Sequence, residues 1–260
     1  MIEACIHAIG LAAPGLPDWP SAERVLSGGE SYQASELGSY APQLLPANER
    51  RRATPPVRMA FRAAEEAVRG RDATTLATVF ASSDGDMGIL HRISSALTTP
   101  ERLVSPTDFH NSVHNAAAGY WGIGTGSRAP STTLAGYDNS FALGLIEAAT
   151  QVATLGRPVL LVVFDVPAAE PLLAARPMAL AASCALWLAP VGGETGLARL
   201  RLELSVEPAT PLAAAALEAL RTGAPALRAL PLLRAIALGE MTRVLLPNSG
   251  GRNLAVDVLR

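Results

Sequence analysis

The run Val159-Leu-Leu-Val-Val-Phe164 contains no polar residue and is enclosed by a Gly156-Arg157-Pro158 breaker and Asp165. A strand that is apolar on both faces must be covered on both faces, which commits the chain to a layered fold with elements above and below a sheet. Other runs supply the rest of the sheet. Strands are expected at 2–11 (ending at Pro14-Gly15), 76–81, 131–135, 181–188 and 197–206, the last alternating Arg199, Arg201 and Glu203 with leucines. Two more β-like runs occupy 241–246 and 254–259.

Helical patterns fall between them. Pro56 opens a helix to about Arg69, with Met59, Ala60, Ala63, Ala64 and Ala67 on one face. Helices follow at 87–97, at 111–124 (rich in Ala and Gly), at 212–221 and at 227–238. Asp138 and Asn139 are both suited to cap a long, nearly uncharged helix to about Leu155. This alternation predicts an α/β fold with a largely parallel mixed sheet. Residues 14–55, rich in Pro, Gly and Ser and ending on Arg50-Arg51-Arg52, read as a long surface excursion that Trp19, Leu26, Tyr32, Leu37 and Tyr40 can anchor. No internal repeat or low-complexity linker divides the 260 residues, and a chain of that length buries about three-quarters of its unfolded surface.

Several chemistries are excluded by residue type. All 21 basic side chains are arginine, and there is no lysine for a Schiff base, a nucleotide-binding loop or a Ser-x-x-Lys nucleophile. A net charge of -2 provides no field to attract nucleic acid. Cys5 and Cys184 are too few and too far apart for a zinc site or a disulfide framework. Glu3 stands where a secretion signal needs positive charge, and no apolar run reaches the ~20 residues of a membrane-spanning helix. A soluble cytoplasmic protein is expected.

Most motif-like spacings have plain explanations. Gly122-Ile-Gly-Thr-Gly126 lacks the third glycine of a dinucleotide loop and follows a helix instead of opening one. His110 and His114 would share a helix face, but neither a glutamate base nor a third ligand accompanies them. Asp84-Gly-Asp86 is too short for a calcium loop and reads as a turn, and no Gly-x-Ser-x-Gly elbow occurs.

The segment Ser105-Pro-Thr-Asp-Phe-His-Asn-Ser-Val-His-Asn-Ala-Ala-Ala-Gly119, followed by Ser131-Thr-Thr-Leu-Ala135 and a long Ala/Gly helix, resembles the N-terminal half of the β-ketoacyl synthases. The resemblance extends over residues 1–205 and implies a thiolase-like layered fold, truncated in its second half, with 206–260 as a reduced C-terminal region on the same domain. It places the nucleophile position at Gly136, beside Tyr137 and Ser140, and no cysteine lies near that turn. No histidine follows His114, so the family's two C-terminal catalytic histidines are missing too. The loss of nucleophile, histidines and lysine together resembles the chain-length factors, the silent partners of ketosynthases, and among these the short ones of aryl-polyene pathways.

The resemblance therefore implies a non-catalytic subunit that pairs with an active β-ketoacyl synthase, meets acyl carrier protein only indirectly and needs no cofactor or metal. It makes Phe109, His110, Asn111, His114, Asn115, Tyr120, Thr133 and Tyr137 candidates for the subunit interface or the wall of an acyl tunnel. Two alternatives stay open. One is a divergent acyltransferase or hydrolase using Ser140 with His110 or His114 as base; the other is a structural stabiliser of a ketosynthase.

Overall fold

The computed structural model describes residues 2–193 and 195–260. One eight-stranded mixed sheet runs through it in the order β3-β2-β4-β5-β1-β6-β8-β7. In chain order, β1 (Ile2–Ala12) is followed by α1 (Trp19–Leu26), α2 (Ala47–Arg52) and α3 (Pro55–Ala67). Next come β2 (Ala77–Ala81), the three helices α4 (Met87–Leu97), α5 (Pro106–Asn111) and α6 (Ala116–Thr125), and β3 (Ser131–Leu134). The long α7 (Ser140–Leu155) leads into β4 (Val159–Asp165). A loop carrying the single-turn α8 (Leu172–Ala175) reaches β5 (Ala182–Ala189), and β6 (Ala198–Ser205) lies on the far side of β1. The chain ends with α9 (Ala215–Gly223), α10 (Leu230–Leu238) and the hairpin of β7 (Thr242–Leu246) and β8 (Asn253–Leu259).

The apolar run at 159–164 is the double-faced strand its composition demands. Val159, Leu161 and Val163 join one core with α7 and α10, whereas Leu160, Val162 and Phe164 join the other with α3 and α6. Neighbouring β2 divides likewise, Val79 facing one side and Phe80 the other. On the α3 side Trp121 packs edge-on against Phe61, ring centres 5.4 Å apart. That side tolerates little bulk: a Cβ on Gly10 would lie 2.0 Å from the Ala63 carbonyl oxygen, so β1 and α3 meet backbone to backbone.

The expected largely parallel sheet is corrected to a mostly antiparallel one. Among the described residues only β2–β3 and β2–β4 pair in parallel; the other five pairings are antiparallel. A parallel neighbour needs a crossover that spans the sheet. α4 to α6 and then α7 supply two such crossovers, but 166–181 does not, because it returns to the end it left and sets Asp165 opposite Ala182.

The helix expected at 111–124 is also corrected. It is two helices, interrupted at 112–115, where the Ser112 hydroxyl turns back to the Phe109 carbonyl at 2.8 Å. His110 and His114 therefore do not share a helix face. Asp138 and Asn139 do not cap α7 with their side chains either: a 3-10 turn at Tyr137–Asn139 runs straight into it.

The excursion at 14–55 contains α1 and α2 and is tied down by neighbouring carboxylates of α3. Glu66 accepts from the Leu11 and Trp19 amides, and Glu65 from those of Gln43 and Leu44. Burial raises the Glu66 pKa, against the pull of those two amides.

Candidate functional site

Because β2, β3 and β4 are parallel, their C-terminal ends open on one side, where α/β sheets place ligands. Three loops meet there: 82–86 after β2, 135–139 after β3, and the loop after β4. Gly136 and Ser140 form the floor of the turn. The Ser140 side chain is fully buried; its hydroxyl donates to the Tyr137 carbonyl at 2.8 Å and accepts from the Gly136 amide at 3.1 Å. A Cβ on Gly136 would stand 2.5 Å from Leu143 Cδ1 and 3.1 Å from Ser140 Cα, so a side chain there requires Leu143 to turn aside. Tyr137 adopts left-handed backbone, φ 53°, a conformation that costs a non-glycine residue about 1–2 kcal/mol. Its side chain is half exposed.

Arg176 braces the turn from within. Its Nε lies 3.1 Å from Asp84 Oδ2, its Nη2 2.8 Å from Asp138 Oδ1, and its guanidinium carbon 3.7 Å from the centre of the Tyr137 ring. Burial works against the Arg176 charge, but the Asp138 hydrogen bond and the two carboxylates outweigh it and raise the pKa. Below this layer Asp165 is buried, with Oδ1 accepting from the Ser83 amide at 2.7 Å and the Ser82 hydroxyl at 3.3 Å. Burial pushes its pKa up to about 7.

The structure gathers Gly136, Tyr137 and Ser140 into this site and distributes the other sequence candidates elsewhere. Phe109 and His110 lie exposed on α5, part of a helical hairpin that α4 and α5 form through the Arg92–Asp108 ion pair at 2.8 Å. That hairpin is sparsely buried: Ile89 is the buried residue of α4 and Asn111 that of α5. Leu103 and Phe109 are 79% and 70% exposed, and Leu90, Leu97 and Val113 are also exposed. Asn111 and His114 line a crevice of about 20 Å³ with Asp86 and Phe164. Asn115 is exposed at the start of α6. Thr133 sits half-buried on β3, one of the two edge strands of the sheet. Tyr120 is a core residue, buried beside Trp121 and Phe61. Among the described residues no group of three or more His, Cys, Asp or Glu side chains is placed to hold a metal ion, and no helix is long and apolar enough to cross a membrane.

Sequence reasoning missed Arg176, Asp84 and Asp165. A signal for the first existed: Arg176 is the only charged residue between 171 and 193. A lone charge in so apolar a stretch demands a partner.

A mixed sheet sandwiched by helices, with a tight turn leading from an edge strand into a long buried helix, defines a thiolase-like, ketosynthase-type fold. The family model described as β-ketoacyl synthase, N-terminal domain, matches residues 19–243, and the chain belongs to that family. It is similar over 99% of its length to the whole of a chain in the structure of a ketosynthase (ApeO) in complex with its chain length factor (ApeC) from Xenorhabdus doucetiae, with 21% identity and a TM-score of 0.75. Similarity to a chain of the ishigamide ketosynthase/chain length factor covers 100% of both chains at 12% identity and a TM-score of 0.75. Against a β-ketoacyl synthase from Burkholderia phymatum STM815 the TM-score is 0.62 at 14% identity, covering 93% of this chain and 71% of that one. Comparison with curated proteins gives no match.

Proposed function

We propose that this chain is a chain-length-factor-type subunit: it performs no condensation, pairs with a catalytically complete β-ketoacyl synthase, and contributes to the wall of the acyl tunnel in the making of polyketide, aryl-polyene or similar chains. The observation that carries this reading is the turn at 136–140. Condensation by thioester exchange needs a thiolate nucleophile. Here the turn offers no thiol, and its serine hydroxyl is buried and bonded inward. Cys184 is buried in the sheet, where burial raises its pKa far above the thiol range, and Cys5 is on β1.

Two exposed features suit a partner. β3 leaves one edge without a neighbouring strand, and the α4–α5 hairpin presents Leu103 and Phe109 to solvent. Supporting the reading by analogy, two of the similar structures contain a ketosynthase with a chain length factor. Another, AntDE:AntF, joins a type II acyl-carrier protein to its ketosynthase. In this reading carrier protein delivers to the partner's nucleophile and meets this chain only indirectly. Residues 1–205 are then the synthase-like region and 206–260 its reduced C-terminal complement. The buried, doubly bonded Ser140 speaks against an acyltransferase built on that residue.

Co-expression with a complete ketosynthase, tagging this chain alone, tests the proposal by size exclusion and intact mass. The expected result is a one-to-one complex in which only the partner carries acyl groups. Acylation of this chain, or product length that is the same with and without it, overturns the reading.

A further inference from the structure

Tyr137 is a bulky residue in left-handed backbone, and such a conformation persists only where its surroundings over-determine it. Arg176 is what over-determines it. Its carboxylate partners come from different loops, Asp84 after β2 and Asp138 after β3, while Arg176 itself follows β4, so one side chain ties together the ends of all three parallel strands. Fixing Nε and Nη2 fixes the plane of the guanidinium, and that plane carries the Tyr137 ring 3.7 Å away. The order of the stack is the reverse of an ordinary surface cation–π pair. The arginine side chain is the inner layer, 11% exposed, and the tyrosine is the outer one, 55% exposed. One ring face is thus occupied by a cation from within while the residue remains open to solvent beside the β3 edge. The preceding residue is closely packed: a Cβ on Gly136 would lie 2.5 Å from Leu143 Cδ1 and 3.1 Å from Ser140 Cα.

We infer that Arg176 is the positioning residue that sets Tyr137 as a rigid aromatic stop, and that this pair determines acyl-chain length in the assembled complex. The inference rests on the function proposed above, and names the device by which that function is exerted. A lysine at 176 could keep one ion pair but has neither the planar surface nor the fork needed to hold both carboxylates and the ring.

Two measurements test it. The first uses the isolated full chain: the Gly136 and Asn139 amides are both bonded within the turn and report its opening by hydrogen exchange. Arg176→Ala is expected to speed their exchange about tenfold or more, and Arg176→Lys by less. Tyr137→Leu keeps bulk and both ion pairs but removes the stack, and is expected to speed exchange as well, so the test survives a poorly folding Arg176→Ala. The second uses the complex with a ketosynthase. Arg176→Ala, Tyr137→Leu and the double variant are expected to shift the product-length distribution in the same direction, the double no further than the larger single. Unchanged exchange in every variant overturns the positioning role. Faster exchange with unaltered products overturns the control of length. Failure to form any complex sinks the proposed function instead, and the exchange measurement still decides whether Arg176 positions the turn.

Discussion

Asp165 is the residue whose chemistry departs furthest from its ordinary range while staying within reach of experiment. Its folded pKa is near 7 against 3.8 for the free side chain, because burial disfavours the carboxylate more than the Ser83 and Ser82 hydrogen bonds favour it. Between about pH 4 and pH 7 the folded chain therefore holds a proton that the unfolded chain has released. This group makes stability fall as pH rises through that window and level off above it, by at most about 4 kcal/mol. Asp165→Asn is expected to flatten the fall, measured as denaturation midpoints at about pH 5 and pH 8; a variant with the wild-type slope would show that Asp165 ionises freely in the fold. The sequence could place this residue, at the end of an apolar strand, but not its environment. Its partners Ser82 and Ser83 are 83 and 82 residues distant and belong to a turn that reads as ordinary. The same distance hid the Arg176 cluster, whose members lie 38 and 92 residues apart.

Elements were legible where one face or one run set their period. β4 follows from six apolar residues, and α4 matches its expected span at 87–97. Strand direction was not legible, because a returning loop and a crossover differ in where they lead and not in composition. The excursion at 14–55 hid α1, although Asp18 caps it by accepting from the Ser21 amide at 2.8 Å. Two outcomes belong to this scale. Gly10→Ala would force α3 off β1 and is expected to cost at least about 2 kcal/mol in unfolding free energy by denaturant titration; a smaller loss would mean that the helix can shift freely. The α4–α5 hairpin should behave in the opposite way. Leu103→Ser with Phe109→Ser removes exposed apolar surface, so the isolated chain should keep its stability within about 0.5 kcal/mol. Recovery of the complex with a ketosynthase should nevertheless drop about tenfold; undiminished recovery would place the partner elsewhere.

At the scale of the whole molecule one end of the sheet carries an ordered surface of paired charge. At the β7 end, on the face away from α10, Glu3, Arg201, Asp257 and Arg243 stand in register across β1, β6, β8 and β7 as a row of alternating sign. Within it Arg201 pairs with Glu3 at 2.9 Å and Arg243 with Asp257 at 3.1 Å. Exposed pairs of this kind add little stability. At its other end the sheet has the open edge of β3, and the α4–α5 hairpin exposes Leu103 and Phe109. A partner that binds by burying the apolar side chains of the hairpin will bind with little dependence on salt and with a negative heat-capacity change. Raising sodium chloride from about 0.1 to 0.5 M is expected to change the dissociation constant of the ketosynthase complex by less than about threefold, a range in which charge-steered complexes weaken strongly. Calorimetry at several temperatures gives both quantities. A tenfold or greater loss of affinity with salt would move the interface toward charged surface, and the apolar hairpin would then need another explanation.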